Sequence, residues 1–280
     1  MNHICAVDQN QEALMKLITA DEIRPIQLQI MDELDAFCRA HEIPYTLLGG
    51  TLIGAIRHKG YIPWDDDIDI CLFRPDYDRL LREFQSESGH VELWTPDRTP
   101  NYLHPYCKAV DTRTVLIEAD KKHAIGVNVD VFPLDDMPES IEECRAHVKR
   151  IKRVQNLLVL KYLHLRKGRS SLKNAFVVLS RLPLMLVPNR PLLRMLTNLM
   201  TKYSPNPGSK YVANLCGAWG EREIFLRADF QNPVDGSFEG RLYRIPDRYD
   251  HVLRGVYGDY MQLPPESERV SHHAFVAYWK

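Results

Sequence analysis

The apolar positions of this chain recur at two periods, and the switches between them lay out its elements. Ile26, Ile30, Leu34, Phe37 and Cys38 repeat at helical spacing with charged residues on the other face. They predict an amphipathic helix over 21–43, with Pro25 in its first turn and Pro44 as its stop. Tyr45 to Leu48 is a short apolar run ending at Gly49-Gly50-Thr51, and a helical turn then leads into a loop through Pro63-Trp64. Ile68, Ile70 and Leu72 alternate with Asp67, Asp69 and Cys71, which is strand period. Arg74-Pro75-Asp76 opens a helix continued by Tyr77, Leu80, Leu81 and Phe84. Strands are predicted over 91–95, 106–110, 114–117 and 126–134; in the last, Val127, Val129 and Val131 alternate with Asn128, Asp130 and Phe132. A helix starts over 140–149, and Pro183, Pro188 and Pro191 divide the following stretch into short helices. Asp235-Gly236 predicts a hairpin between Phe230 and Tyr243, and 246–257 predicts a last helix. Residues 1–20 carry a short helical pattern and no motif.

Composition changes this picture in one place. The chain has 280 residues, 45% hydrophobic and 26% charged, with a net charge of −1, which suits a globular protein and names no partner. Yet Lys149 to Lys202 holds thirteen Lys and Arg and no Asp or Glu. That tract reads either as a helical lobe with a solvated basic face or as a surface for anionic lipid. Aromatic residues do not interleave with its basic ones, so no nucleic-acid partner is expected. The six cysteines form no CxxC pair, and Cys38 and Cys71 sit at core positions. The first residues lack a basic region followed by an apolar core, and no apolar run approaches the ~18 residues of a membrane span. The expected location is the reducing cytoplasm, with peripheral contact at the inner face of the membrane.

The chemistry concentrates between Tyr45 and Leu72. Asp65, Asp66, Asp67 and Asp69 put four carboxylates into five positions with no Lys or Arg among them. Such crowding is costly unless a cation or solvent screens it. Asp67 and Asp69 leave their strand on one face, a hard-oxygen pair suited to Mg²⁺ or Mn²⁺. Asp130 is a lone carboxylate on a strand patterned for burial; it is an edge residue, a backbone-bonded one, or the third ligand the pair lacks, and we take the last. Gly49 and Gly50 allow backbone N–H groups to approach a phosphate at a helix start. A calcium loop of the EF-hand kind fails, because Ile70 and Asp76 stand where it needs Gly and Glu. A metal-binding DxD of nucleotide-sugar glycosyltransferases leaves the glycines unexplained. A solvated acidic turn does not suit Ile68 and Ile70, which require half burial. A nucleotidyltransferase arrangement accounts for every part in order: apolar strand, Gly-Gly, carboxylate pair, later carboxylate. The expected fold is therefore α+β, a nucleotidyltransferase-like mixed sheet flanked by helices with a basic helical lobe. Its expected parts are an N-terminal segment 1–20, a catalytic core 21–140, the basic lobe 141–210, and 211–280 completing the catalytic domain.

The run GGTLIGAIRHKGYIPWDDDIDI resembles the signature of the LicD family of phosphotransferases, which includes the fukutin-type proteins. VDVFPLD around Asp130, FEGRLYRIP around Glu239, YGDYMQLPP around Asp259 and the Arg269-His272-His273 tail are similar as well. The resemblance implies transfer of a phospho-alcohol, such as phosphocholine, from a CDP-activated donor to a hydroxyl of a cell-surface glycan or glycolipid, with release of CMP. On that reading Asp67, Asp69 and Asp130 are catalytic and hold Mg²⁺ (or Mn²⁺), with Asp130 accepting the proton of the attacking hydroxyl. Asp65 and Asp66 orient the metal pair. Gly49, Gly50 and Thr51 face phosphate oxygens, and Arg57, His58 and Lys59 add cationic contacts. Trp64 covers the site or cages a quaternary ammonium. Arg269, His272 and His273 are further donor or acceptor contacts. Two rival expectations are an NTP-using nucleotidyltransferase that releases pyrophosphate, and a non-catalytic binding protein on the same fold.

Overall fold

A computed structural model describes residues 15–100, 102–118, 124–162, 181–270 and 275–280. In chain order the elements are β1 (Lys16–Ile18), α1 (Ala20–Ala40), β2 (Thr46–Leu47), α2 (Gly49–Ile53) running into a π-helical turn (Gly54–His58), β3 (Asp69–Phe73), α3 (Arg74–Glu83), β4 (Val91–Trp94), β5 (Cys107–Asp111), β6 (Thr114–Glu118) and β7 (Asn128–Asp136). They continue as α4 (Ile141–Tyr162), α5 (Asn189–Met200), β8 (Tyr211–Ala213), β9 (Ile224–Leu226), β10 (Val234–Phe238), β11 (Arg241–Ile245), α6 (Tyr249–Tyr257) and β12 (Phe275–Trp279). The architecture is mixed α+β.

The main sheet runs β2-β3-β7-β5-β4, and β7 also pairs with β8, which pairs with β9. Only β3 and β7 are parallel; the other named pairs are antiparallel. Strand β7 is buried along its length after Asn128, as a strand covered on both faces must be. Helices α1 and α3 lie against it. From α1, Ile26, Ile30, Leu34 and Cys38 enter the core, as their spacing predicts. The Cys38 and Cys71 thiols are both pushed up to about 12 by burial, as core cysteines. A second, antiparallel sheet has the order β1-β12-β6. Strand β1 falls where the sequence suggests only a helical pattern, and most of 1–20 lies outside the described residues.

Three boundaries differ from expectation for local reasons. Helix α1 starts before 21 because the Glu22 carboxylate accepts the Thr19 backbone N–H at 2.8 Å, so Pro25 sits inside the helix, past its first turn. Asp235-Gly236 is not the hairpin turn; both residues are within β10, opposite Arg244 and Tyr243. The turn is Glu239-Gly240, with φ of 50° and 72°, the left-handed pair that a two-residue hairpin requires. Gly236 instead makes room for Ile245, whose side chain comes within 2.8 Å of the absent Cβ. Pro191 does not interrupt a helix; it lies in the first turn of α5, where its missing N–H costs nothing.

Helices α4 and α5 enclose a separate small core of Met137, Cys144, Val148, Ile151, Leu196, Met200, Ala213 and Leu215. These helices carry most of the described part of the basic tract, and 163–180 lie outside the described residues. Among the described residues, no helix is long and apolar enough to cross a membrane.

Candidate active site

The site forms where β3 and β7 begin. Asp69 is the first residue of β3 and stands in register with Asp130 on its parallel neighbour β7. On the other side of β7, Lys108 of β5 is in register with the same Asp130. Three adjacent strands thus carry Asp69, Asp130 and Lys108 in one row. Ile68 and Ile70 are fully buried while Asp67 and Asp69 are half-buried, so the alternation seen in the sequence holds although the strand itself starts at Asp69.

Each acid has a distinct setting. Burial pushes the Asp69 carboxyl well above the usual range; the charges of Asp67, Asp130 and Asp65 push the same way, and Lys108 opposes them. Asp65, Asp66 and Asp67 bring one carboxylate oxygen each to within 4.8 Å of one another. Asp130 is 8% exposed and already engaged: Lys108 Nζ donates to its Oδ1, and the Tyr106 hydroxyl donates to its Oδ2 at 3.1 Å. Among the described residues Asp69 and Asp130 do not join that close group of three, whose carboxylate oxygens suit a hard divalent cation.

The two glycines are required by the acids. Gly49 has φ +60°, and a Cβ there would lie 2.8 Å from Asp69 Oδ2. A Cβ on Gly50 would run into Asp65 Oδ2. A side chain at either position would have to displace a carboxylate oxygen, and at Gly49 it would also sit on a left-handed backbone. Thr51 is buried, and its hydroxyl accepts the Asp69 N–H at 2.9 Å, tying the start of β3 to α2.

The acidic loop is held from outside by α1. Arg24 donates to the carbonyls of Pro63 and Asp65 at 3.3 and 3.1 Å, and the Gln27 amide donates to the Asp66 carbonyl at 2.8 Å. Tyr61 donates its hydroxyl to Gln27 and lies under the Arg24 guanidinium, 4.6 Å from ring centroid to Cζ. Glu239, from the hairpin turn, accepts the Tyr61 N–H at 3.0 Å.

The remaining expected contacts form a second group beside this loop. Arg57 donates to the carbonyls of Tyr260 and Gln262, so it anchors the C-terminal loop, and burial lowers its pKa. His58 is depressed by burial first and by Arg57 second; it meets Trp64 edge-on at 6.4 Å. The Arg269 guanidinium lies 5.8 Å from the Trp64 ring, so a cation of the chain already faces that indole. Lys59 is exposed in a left-handed conformation, φ 62°, with its carbonyl accepting the Glu239 N–H. His272 and His273 lie outside the described residues.

Sequence reasoning missed Lys108, Tyr106 and the α1 pair Arg24 and Gln27. A lysine in the middle of the apolar run CKAV is the signal that would have flagged Lys108, since an ammonium on a covered strand needs a carboxylate partner. Tyr257 was also missed; its hydroxyl lies 3.8 Å from the same absent Gly49 Cβ that Asp69 approaches.

A family model described as LicD/FKTN/FKRP, nucleotidyltransferase domain, matches residues 42–155, a stretch that includes both glycines, all five aspartates and Lys108. Over 269 residues the chain is 32% identical to the lipopolysaccharide cholinephosphotransferase LicD of Haemophilus influenzae, spanning 94% of this chain and 99% of that protein. Uncharacterised proteins of Rickettsia typhi and Rickettsia prowazekii are 33% identical over 128 residues and 29% identical over 113 residues, about two-fifths of their own lengths (39% each). Likeness that runs through nearly the whole chain, together with a family model that spans the acidic site, establishes that this protein belongs to the LicD family.

Proposed function

We propose that this protein transfers phosphocholine from CDP-choline to a hydroxyl of a lipopolysaccharide glycan and releases CMP. The observation that carries the reading is the row Asp69–Asp130–Lys108 across three strands, set against Asp65–Asp67 and a glycine-lined backbone. Similarity to a lipopolysaccharide cholinephosphotransferase along the whole chain supports the substrate class.

Asp67, Asp69 and Asp130 would hold Mg²⁺ or Mn²⁺, with Asp65 and Asp66 beside them. Such an ion supplies neutralisation of charge on the diphosphate and on the departing CMP. The chain's own residues do the rest. Gly49 and Gly50 bring main-chain N–H groups to phosphate oxygens, and Thr51 fixes them relative to Asp69. Asp130, oriented by Tyr106, accepts the proton of the attacking hydroxyl. Arg57, His58, Trp64 and Arg269, linked to one another and to the loop at 260–262, and the neighbouring Lys59 would contact the donor alcohol and the acceptor.

An acceptor of this class would bring the chemistry to a lipid surface. Leu182, Met185 and Leu186 are 55%, 60% and 86% exposed, in a tract with no acidic residue. We read that face as a peripheral contact with anionic lipid; sedimentation with anionic vesicles should fall sharply as salt rises, and salt-independent or absent sedimentation removes it.

The deciding assay incubates the full chain with CDP-choline, lipopolysaccharide and Mg²⁺ and follows CMP. CMP that depends on acceptor and is abolished by EDTA is the expected result. Pyrophosphate released from an NTP, or no CMP under any divalent ion, overturns the reading.

A further inference from the structure

Lys108 is 9% exposed in the interior of β5, where an ammonium group is costly unless it is paired. Its Nζ donates to Asp130 Oδ1 and, at 3.0 Å, to Asn128 Oδ1. The Tyr106 ring lies 5.6 Å from the same nitrogen and packs on Phe132 with centroids 4.4 Å apart, closing the site on that side. Asn128 and Asp130 share one face of β7, two residues apart, so Nζ sits between two acceptors of which only one is charged.

That placement resolves a conflict. Asp65, Asp67, Asp69 and Asp130 act on one another as like charges, and the ion-free fold must tolerate them. Lys108 is the positive group that the sheet register delivers into their row. A divalent cation on Asp130 would meet this ammonium as a like charge, so the two positive groups compete for one carboxylate. Asn128 supplies the neutral acceptor on which the ammonium remains when it yields.

We infer that Lys108 is a resident counter-ion: it holds Asp130 in the ion-free protein, gives up that carboxylate when a divalent cation binds, and stays on Asn128 facing the donor phosphates. The inference rests on the reading above that Asp130 takes part in the ion site. It makes Lys108 a positioning residue that sets ion affinity, and it separates this lysine from one that merely completes a buried ion pair.

The test is Mn²⁺ binding to the full chain, read by electron paramagnetic resonance and by thermal unfolding in EDTA against a Mn²⁺ series. Lys108→Met should unfold at a lower temperature than wild type in EDTA yet bind Mn²⁺ about tenfold more tightly and gain more from it. Asn128→Ala keeps both charges and removes the fallback acceptor, so it should bind Mn²⁺ more weakly than wild type. If Lys108→Met fails to fold, Lys108→Met combined with Asp130→Asn removes both charges and should recover the EDTA stability. Unchanged or weaker Mn²⁺ binding by Lys108→Met, with wild type binding normally, overturns the inference and leaves the proposed function standing. No Mn²⁺ binding by wild type removes both.

Discussion

Strand β7 carries acids at both ends, and the two ends are built on opposite terms. At its finish Asp135 is fully buried and clamped by Arg74 through two bonds of 2.7 and 2.8 Å, while Asp136 meets Arg227 and accepts the Asn206 N–H at 2.6 Å. Every charge there has a counterpart, which is the condition for a buried carboxylate to serve the fold. At its start Asp130 pairs with Lys108, and Asp67, Asp130 and Asp65 act on the neighbouring Asp69 as like charges. Crowding of like charges around Asp69, rather than burial, separates the chemical end of the strand from the structural end. Both ends look alike in the sequence, where VDVFPLDD shows only acids on an apolar strand.

The comparison breaks most sharply by substitution at each end. Asp69→Asn should lower turnover by about 10³-fold, the order expected when several kcal/mol of charge stabilisation is lost. Its ion-free melting temperature should not fall, because a like charge has been removed. A large fall would put Asp69 in the structural class. Arg74→Met should behave in the reverse way: about 3–5 kcal/mol less stable in urea unfolding, because Asp135 is left charged and buried without a partner. A loss under about 1 kcal/mol would show that the far end tolerates imbalance as well.

A smaller effect comes from Glu223, which lies outside both ends. Burial pushes its carboxyl up to about 7 from 4.5, against hydrogen bonds from Trp219 and Asn214 that favour the charged form. A carboxyl raised in the folded state favours the fold while protonated, so its contribution is full below about pH 4.5 and is lost as pH rises through 7. The expected loss is about 3 kcal/mol across that window. Stability measured in urea between pH 5 and 8 should decline in wild type, and Glu223→Gln should flatten the slope. Parallel slopes would assign the decline to other groups.

Much of this molecule was legible because its signals were local. The α1 core face, the Gly-Gly turn, the acid run and the strand around Asp130 all follow from period and residue type within a few positions. The expectation that Asp130 stands beside Asp69 needed only that two strands pair, and the register supplies it. What escaped was set by partners distant in sequence. Lys108 matters only because β5 pairs with β7 in that register. The hairpin turn was misplaced because Asp235-Gly236 carries the turn signature, whereas Ile245 explains the glycine. The carbonyls that Arg57 holds lie about two hundred positions on, at Tyr260 and Gln262, beyond the reach of any local pattern.

Helix α1 grips the acidic loop by its carbonyls, through Arg24 and Gln27. Route and reactivity are thereby encoded in different parts of the polymer. A designer who rewrites Asp65 or Asp66 would leave these carbonyl anchors in place while altering the ligand chemistry mounted on the loop. Evolution has the same freedom: one helix can serve as a fixed mount on which descendants try other coordinating groups.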